Sequence, residues 1–303
     1  LNFIVNKATR KIGNNMSSTT TRSPAAPLSH WISAFSGKLH VVEVGAGVET
    51  WAETIVLWPS IFTDHHIYDP LVQKLSGRFR FLLIDGFGHG QSDGPSHEFT
   101  IAQCAMAMRT VLDCFGLQRA IVGGTSWGGL VAAHLALAFP ERARAVLLLN
   151  TPFELGRGRP QVSTRLVAWG SRWLLRSAIY RKGVAASFFS KEALARNRSY
   201  VEQFHEMLSA AQPRALAAAV RSVLLRSQPL KDRLADLKAP TLVVAGQDDD
   251  LYPVAGQAAA AALLPRGRFA PVAGKHVSVL ERPVEVAQQI EQFLEFEVKP
   301  ECS

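Results

Sequence analysis

The chain has 303 residues, 48% apolar and 19% charged, with a net charge of +8. This is globular composition with enough apolar side chain for a sizeable core, and it excludes a disordered or fibrous chain. No run of about 18 uncharged apolar residues occurs, so no transmembrane helix is expected.

Residues 1–28 read as a disordered tail, Ser/Thr-rich over 17–23 and Pro/Ala-rich over 24–27. Met16 offers a start within it, which would leave residues 1–15 upstream of the native protein. Apolar runs at 31–35, 39–44, 54–58 and 80–85 predict four strands, the first two joined by a turn at Ser36-Gly37. A glycine-rich loop, 86–92, follows the fourth. Residues 100–115 carry Ile101, Cys104, Met108, Val111, Leu112 and Phe115 at helical spacing. Strands are expected at 120–122 and 145–150, with a helix at 130–138 between them. From Leu155 to Lys231 the alternation stops and the pattern is helical. Strand-like 241–245 and 269–272, helical 254–264 and a closing amphipathic helix at 283–298 complete the chain. Strands alternating with helices predict an α/β fold with a mostly parallel central sheet. The core is expected over 29–154 and 232–303, with 155–231 as a helical lid inserted after the sixth strand.

Three cysteines occur, Cys104, Cys114 and Cys302. The first two share one predicted helix, ~15 Å apart, too far for a disulfide. Free cysteines and the lack of a clear signal peptide point to a reducing, cytoplasmic setting.

The stretch that organises the chain is Gly124-Thr125-Ser126-Trp127-Gly128, a G-x-S-x-G lying between a predicted strand and a predicted helix. A sharp turn there lifts the Ser126 hydroxyl off the sheet edge, and small residues at 124 and 128 let strand and helix approach. Three further passages carry a resemblance to the α/β-hydrolase fold superfamily. Residues 85–92, Asp-Gly-Phe-Gly-His-Gly-Gln-Ser, are similar to its D-x-x-G-x-G-x-S loop. Residues 246–253 resemble its G-x-x-D-x-x-x-P loop, and 274–283 its G-x-H-x-x-x-x-E-x-P passage. The order Ser, acid, His is the order of that fold.

The resemblance implies a serine hydrolase. A serine hydroxyl needs a base within hydrogen-bond reach, and the base needs a third group to set its tautomer. His276 fits the base and His89 is its nearest rival, more at home as a structural residue of the glycine loop. The family spacing selects Asp249 as the acid, with its neighbours Asp248 and Asp250 facing solvent and second to it for that role. Trp127 should give one oxyanion amide. The family's other donor follows the third strand, usually in His-Gly; here the loop reads Trp58-Pro59-Ser60-Ile61-Phe62. Pro59 has no N–H, so Ile61, or else Ser60, takes that place. Trp58, Trp169, Trp173, Phe188 and Phe189 are the candidate pocket walls.

Haloalkane dehalogenases and epoxide hydrolases of this fold have Asp at the nucleophile, so Ser126 argues against both. Ester or lactone hydrolysis ranks first. Ser60-Ile61 followed by Asp64 resembles the enol-lactonase pattern. Gly-Thr-Ser-Trp-Gly resembles proline iminopeptidases, whose His-Gly-Gly-Pro-Gly loop is missing here. Peptidase activity, carbon–carbon bond hydrolysis and perhydrolysis rank lower, as does a non-catalytic relative of the fold. The inserted block holds 14 Lys and Arg against three Glu, a net +11. Arg165, Trp169, Arg172, Trp173 and Arg176 fall at helical spacing within it. The plain reading is a solvated face with the tryptophans in the core. The sharper readings are an anionic substrate or weak contact with an anionic membrane surface. No nucleic-acid motif, metal-ligand cluster or dinucleotide fingerprint accompanies the charge, so neither nucleic acid, metal nor cofactor is expected.

Overall fold

Continuous apolar runs become strands buried on both faces, and the sheet they form sets every site position. A computed structural model describes residues 26–35, 37–45, 53–95, 97–156 and 162–298. β1 (Leu28–Ala34), β2 (Gly37–Val44), β3 (Thr54–Trp58), β4 (Arg80–Ile84), β5 (Ala120–Thr125), β6 (Ala143–Leu149), β7 (Thr241–Gly246) and β8 (Gly267–Val272) pair in the order β1-β2-β4-β3-β5-β6-β7-β8. The β1–β2 and β2–β4 pairs are antiparallel and the other five are parallel. β5 and β7 are buried at every residue, as central parallel strands require.

Helices flank the sheet: α1 (Asp69–Leu75), α2 (Ile101–Cys114) and α3 (Trp127–Ala138) come before the inserted block. The block itself is α4 (Val162–Trp173), α5 (Ala178–Phe188), α6 (Lys191–Arg196), α7 (Arg198–Ala210) and α8 (Pro213–Arg226). After it come α9 (Val254–Ala261), α10 (Ser278–Glu281) and α11 (Pro283–Glu297). α2 starts where its sequence says. Thr100 Oγ1 accepts from the Gln103 amide at 3.2 Å and the Gln103 side chain accepts from the Thr100 amide at 2.8 Å, a reciprocal cap.

Several boundaries differ from the sequence reading. β1 begins at Leu28, inside the expected tail, because residues 28–34 pair with residues 37–43 of β2. α3 begins at Trp127 rather than Leu130, since the turn at Ser126 leads straight into it. β8 begins at Gly267, paired to Thr241. The sequence pattern does not mark α1: it is short, and it carries Pro70 in its first turn, where fixed φ suits a helix. Most of the expected tail, residues 1–25, and Cys302 lie outside the described residues. Among those residues Cys104 and Cys114 are free thiols, and no helix is long and apolar enough to cross a membrane.

Candidate active site

Among the described residues three non-glycine residues adopt positive φ, and all three follow the carboxyl ends of adjacent strands: Phe62 (69°), Ser126 (55°) and Asn150 (48°). Such strain persists only where the surroundings fix it. At Ser126 they do. Its amide donates to the Leu149 carbonyl at 2.7 Å. A Cβ on Gly124 or Gly128 would overlap the Trp58 carbonyl of β3, so glycine at both is what lets β3, β5 and α3 meet. Ser126 is 7% exposed, directly before the first turn of α3, whose N–H groups lack intrahelical partners.

β7 delivers Asp249. Its neighbour Gly246 lies so close to the Lys275 carbonyl that a Cβ would overlap it, which draws the acid loop against the loop bearing His276. His276 Nδ1 sits 2.9 Å from Asp249 Oδ2. That oxygen also accepts from Asn150 Nδ2 at 3.2 Å, and Oδ1 accepts from the amides of Leu251 (3.0 Å) and Tyr252 (3.2 Å). Burial pushes the Asp249 carboxyl up. The bond and charge of His276, with the Tyr252 and Asn150 donors, outweigh it and hold the carboxyl below its ordinary value. Asp248 and Asp250 are exposed, and Asp250 pairs with Lys275 at 2.9 Å.

Asn150 is the residue that sequence reasoning missed. It is fully buried, donates also to the Lys275 carbonyl at 3.1 Å, and accepts from Ser278 Oγ at 2.6 Å. It thus ties the end of β6 to both sides of His276. No motif in one sequence marks it.

The 59–65 loop, where the chain departs from the family pattern, is held from beneath by the glycine-rich loop. Asp85 accepts from His40 Nδ1 and His65 Nδ1, each at 2.8 Å, and from the amides of His65 and Gln91, each at 2.9 Å. His40, His65 and Asp85 have the spacing of a metal site, but both imidazole Nδ1 atoms are engaged by the carboxylate, and the group anchors the loop. The Phe62 amide donates to His89 Nε2 at 3.0 Å, and His89 Nδ1 meets the Phe87 carbonyl at 3.0 Å. Burial pushes the His89 imidazole down to about 4, against weaker opposing effects of the Phe87 carbonyl and Asp85. The Phe62 amide is therefore occupied. The Ser60, Ile61 and Trp127 amides donate to no acceptor among the described residues.

The five pocket candidates part company. The Phe188 ring stands edge-on to His276 at 5.1 Å and against Phe62 at 6.0 Å. Phe189 is 1% exposed and packs on Phe204 instead. Trp58 is a core residue and no pocket wall: it is wholly buried against Trp127 and Phe87. Trp169 and Trp173 are neither core nor wall. They are 55% and 64% exposed, because the inward face of α4 is taken by Ala168, Gly170 and Ser171. A cavity of about 470 Å³ opens beside the acid loop, lined by Thr151, Phe153, Leu225, Tyr252 and Gln257 among others. Ser126 and His276 are not among its walls; Tyr252 stands between, its ring 5.3 Å from that of His276.

Known proteins share this fold. The family model described as alpha/beta hydrolase fold matches residues 53–283. A pimeloyl-[acyl-carrier protein] methyl ester esterase of Xanthomonas oryzae pv. oryzae is 30% identical over 239 residues, covering 75% of this chain and 89% of that protein. Among solved structures, a hydrolase from Pseudomonas aeruginosa PA01 superposes with a TM-score of 0.79 at 27% identity, over 89% of this chain and all of that one. The enol-lactonase from Burkholderia xenovorans LB400 gives the same TM-score at 24% identity, over 88% and 99% of the two chains, a likeness of fold. The chain is a hydrolase that belongs to the α/β-hydrolase fold family.

Proposed function

We propose that the chain hydrolyses carboxylic esters or lactones through an acyl-enzyme on Ser126. The observation that carries this is the buried His276–Asp249 pair, 2.9 Å apart, at the sheet edge that also bears a serine in a strained turn. In this reading Ser126 Oγ attacks the carbonyl carbon while His276 takes its proton. Asp249 holds the imidazole with its free nitrogen toward the serine and stabilises the charge it acquires. The Trp127 and Ile61 amides, or Ser60 in place of Ile61, receive the oxyanion at the positive end of α3. His276 then returns the proton to the departing alkoxide, and a water repeats the sequence to release the acid and restore Ser126. Nothing in the scheme calls on a cofactor. The inserted helices act as a lid, with Phe188 forming wall beside His276. The relatives named as esterase and enol-lactonase support the substrate class. The free thiols of Cys104 and Cys114 suit the cytoplasm, and the +11 of the inserted block suits capture of anionic substrates.

The test is turnover across methyl esters, activated aryl esters and lactones of varied chain length, for the wild type and Ser126→Ala. The substitution should lower kcat by about 10⁴ or more on every substrate cleaved and leave the melting temperature nearly unchanged. Wild-type turnover in Ser126→Ala would remove the reading.

A further inference from the structure

α4 is inverted for a helix of a domain surrounded by water. The face it turns to the protein is small: Ala168, Gly170 and Ser171 are buried. A Cβ on Gly170 would run into the Tyr180 ring, and the Tyr180 hydroxyl donates to the Val167 carbonyl at 2.9 Å. Four of its bulky apolar residues face out. Val162 is 74% exposed, Leu166 61%, Trp169 55% and Trp173 64%. Their spacing of four, three and four residues makes one stripe along one side of the helix. Ile179, 84% exposed, follows at the start of α5.

The charged residues that flank the stripe in sequence have one sign. Residues 162–182 hold Arg165, Arg172, Arg176, Arg181 and Lys182, and no Asp or Glu occurs anywhere from 155 to 191. Arg165 and Arg176 are exposed. The Arg172 guanidinium lies 4.5 Å from the Trp173 ring centroid, cation beside aromatic at the rim. We propose that α4 seats the protein on an anionic lipid surface. Trp169, Trp173 and Leu166 enter the boundary between headgroups and acyl chains, while the arginines pair with lipid phosphates. Tryptophan prefers that boundary, and an amphipathic helix with a basic polar face is the usual device for lying in it. A protein partner would have to supply acidic groups opposite these arginines; an anionic leaflet supplies them by composition. The stripe is separate from Ser126, Asp249 and His276, so the inference stands apart from the hydrolytic reading.

The experiment is co-sedimentation of the full chain with vesicles of phosphatidylcholine alone, or containing about one third phosphatidylglycerol, at low and high ionic strength. Binding should need the anionic lipid and weaken with salt. The double variant Trp169→Ser, Trp173→Ser should bind at least about tenfold more weakly, and so should Arg172→Glu, Arg176→Glu. Ser126→Ala should bind like the wild type, which keeps this result distinct from any failure of the hydrolase assignment. All four tested side chains of α4 and its end are at least partly exposed, and circular dichroism will show whether the variants are folded. Three outcomes overturn the proposal: no binding to anionic vesicles at low salt, equal binding to neutral ones, or undiminished binding by the folded tryptophan variant. A fourth is a dimer in sedimentation equilibrium that the tryptophan variant abolishes, which would show the stripe to be covered by a second copy of the chain.

Discussion

Asp249 receives four hydrogen bonds on its two carboxylate oxygens, from His276, Asn150, Leu251 and Tyr252. That saturation fixes which oxygen faces the imidazole, and hence which ring nitrogen is left for the serine. Asp249→Asn should lower kcat by about 10⁴, because an amide in that place sets the wrong tautomer. Asp250→Asn should change kcat less than about twofold, since it loses only a pair at a carboxylate that is 71% exposed. Steady-state kinetics on one activated ester compares the two. His89 allows a separate test through pH. Its folded-state value is depressed to about 4 from 6.5, so between those pH values the unfolded chain binds more protons than the folded one. The stability it confers is complete above pH 6.5 and is lost as pH falls to about 4, on the order of 3 kcal/mol. His89→Gln can still accept the Phe62 amide, and its unfolding free energy by urea titration should fall less steeply over that interval. A slope equal to the wild type's would show that His89 is not held neutral. Ser126, Asp249 and His276 were legible because each sits in a spaced motif. Asn150 was not, because its importance lies in reaching residues 99 and 125 positions away in sequence.

At the scale of elements, the turn at Ser126 depends on backbone proximity. A methyl on Gly128 would overlap the Trp58 carbonyl, so Gly128→Ala must push β3 and α3 apart. It should cost roughly 3 kcal/mol or more. Gly183, exposed in α5 with open space around it, is the control: Gly183→Ala should stabilise by about 0.5–1 kcal/mol. Thermal or urea unfolding of the two variants gives opposite signs if the packing is as described. The same scale explains what the sequence could and could not reveal. The central strands are continuous apolar runs between glycines, and those were readable. The orientation of α4 was not. Its periodicity defines a stripe, but which side meets the protein is decided by packing against α8 and Tyr180, where Ala168, Gly170 and Ser171 are buried and a Cβ on Gly170 would meet the Tyr180 ring. The expectation that Trp169 and Trp173 are buried failed for that reason.

In the whole molecule, the inserted helices are fastened to the core at several places. On one side the Phe99 amide donates to Ser222 Oγ of α8 at 2.8 Å, and Arg221 pairs with Glu98 at 2.9 Å. On the other, buried Glu281 accepts from Ser190 Oγ at 2.6 Å and from the amides of Ser190 and Lys275, each at 3.1 Å. Burial raises the Glu281 carboxyl, opposed by these donors and by Arg282. This second fastening reaches the residue before His276, so the inserted block and His276 share one support. Phe188 completes it by standing on the His276 ring. The sheet brings the three chemical groups to one edge, and the inserted block is tied to the same loop that carries His276. The central claim is that this edge makes Ser126 a nucleophile. Intact-mass measurement after reaction with a fluorophosphonate, followed by peptide mapping, tests it most directly. The expected result is one adduct per chain, on Ser126, absent in Ser126→Ala and strongly slowed in Asp249→Asn. Labelling of another serine, or an unmodified Ser126 in a folded protein that still turns over ester, would contradict it.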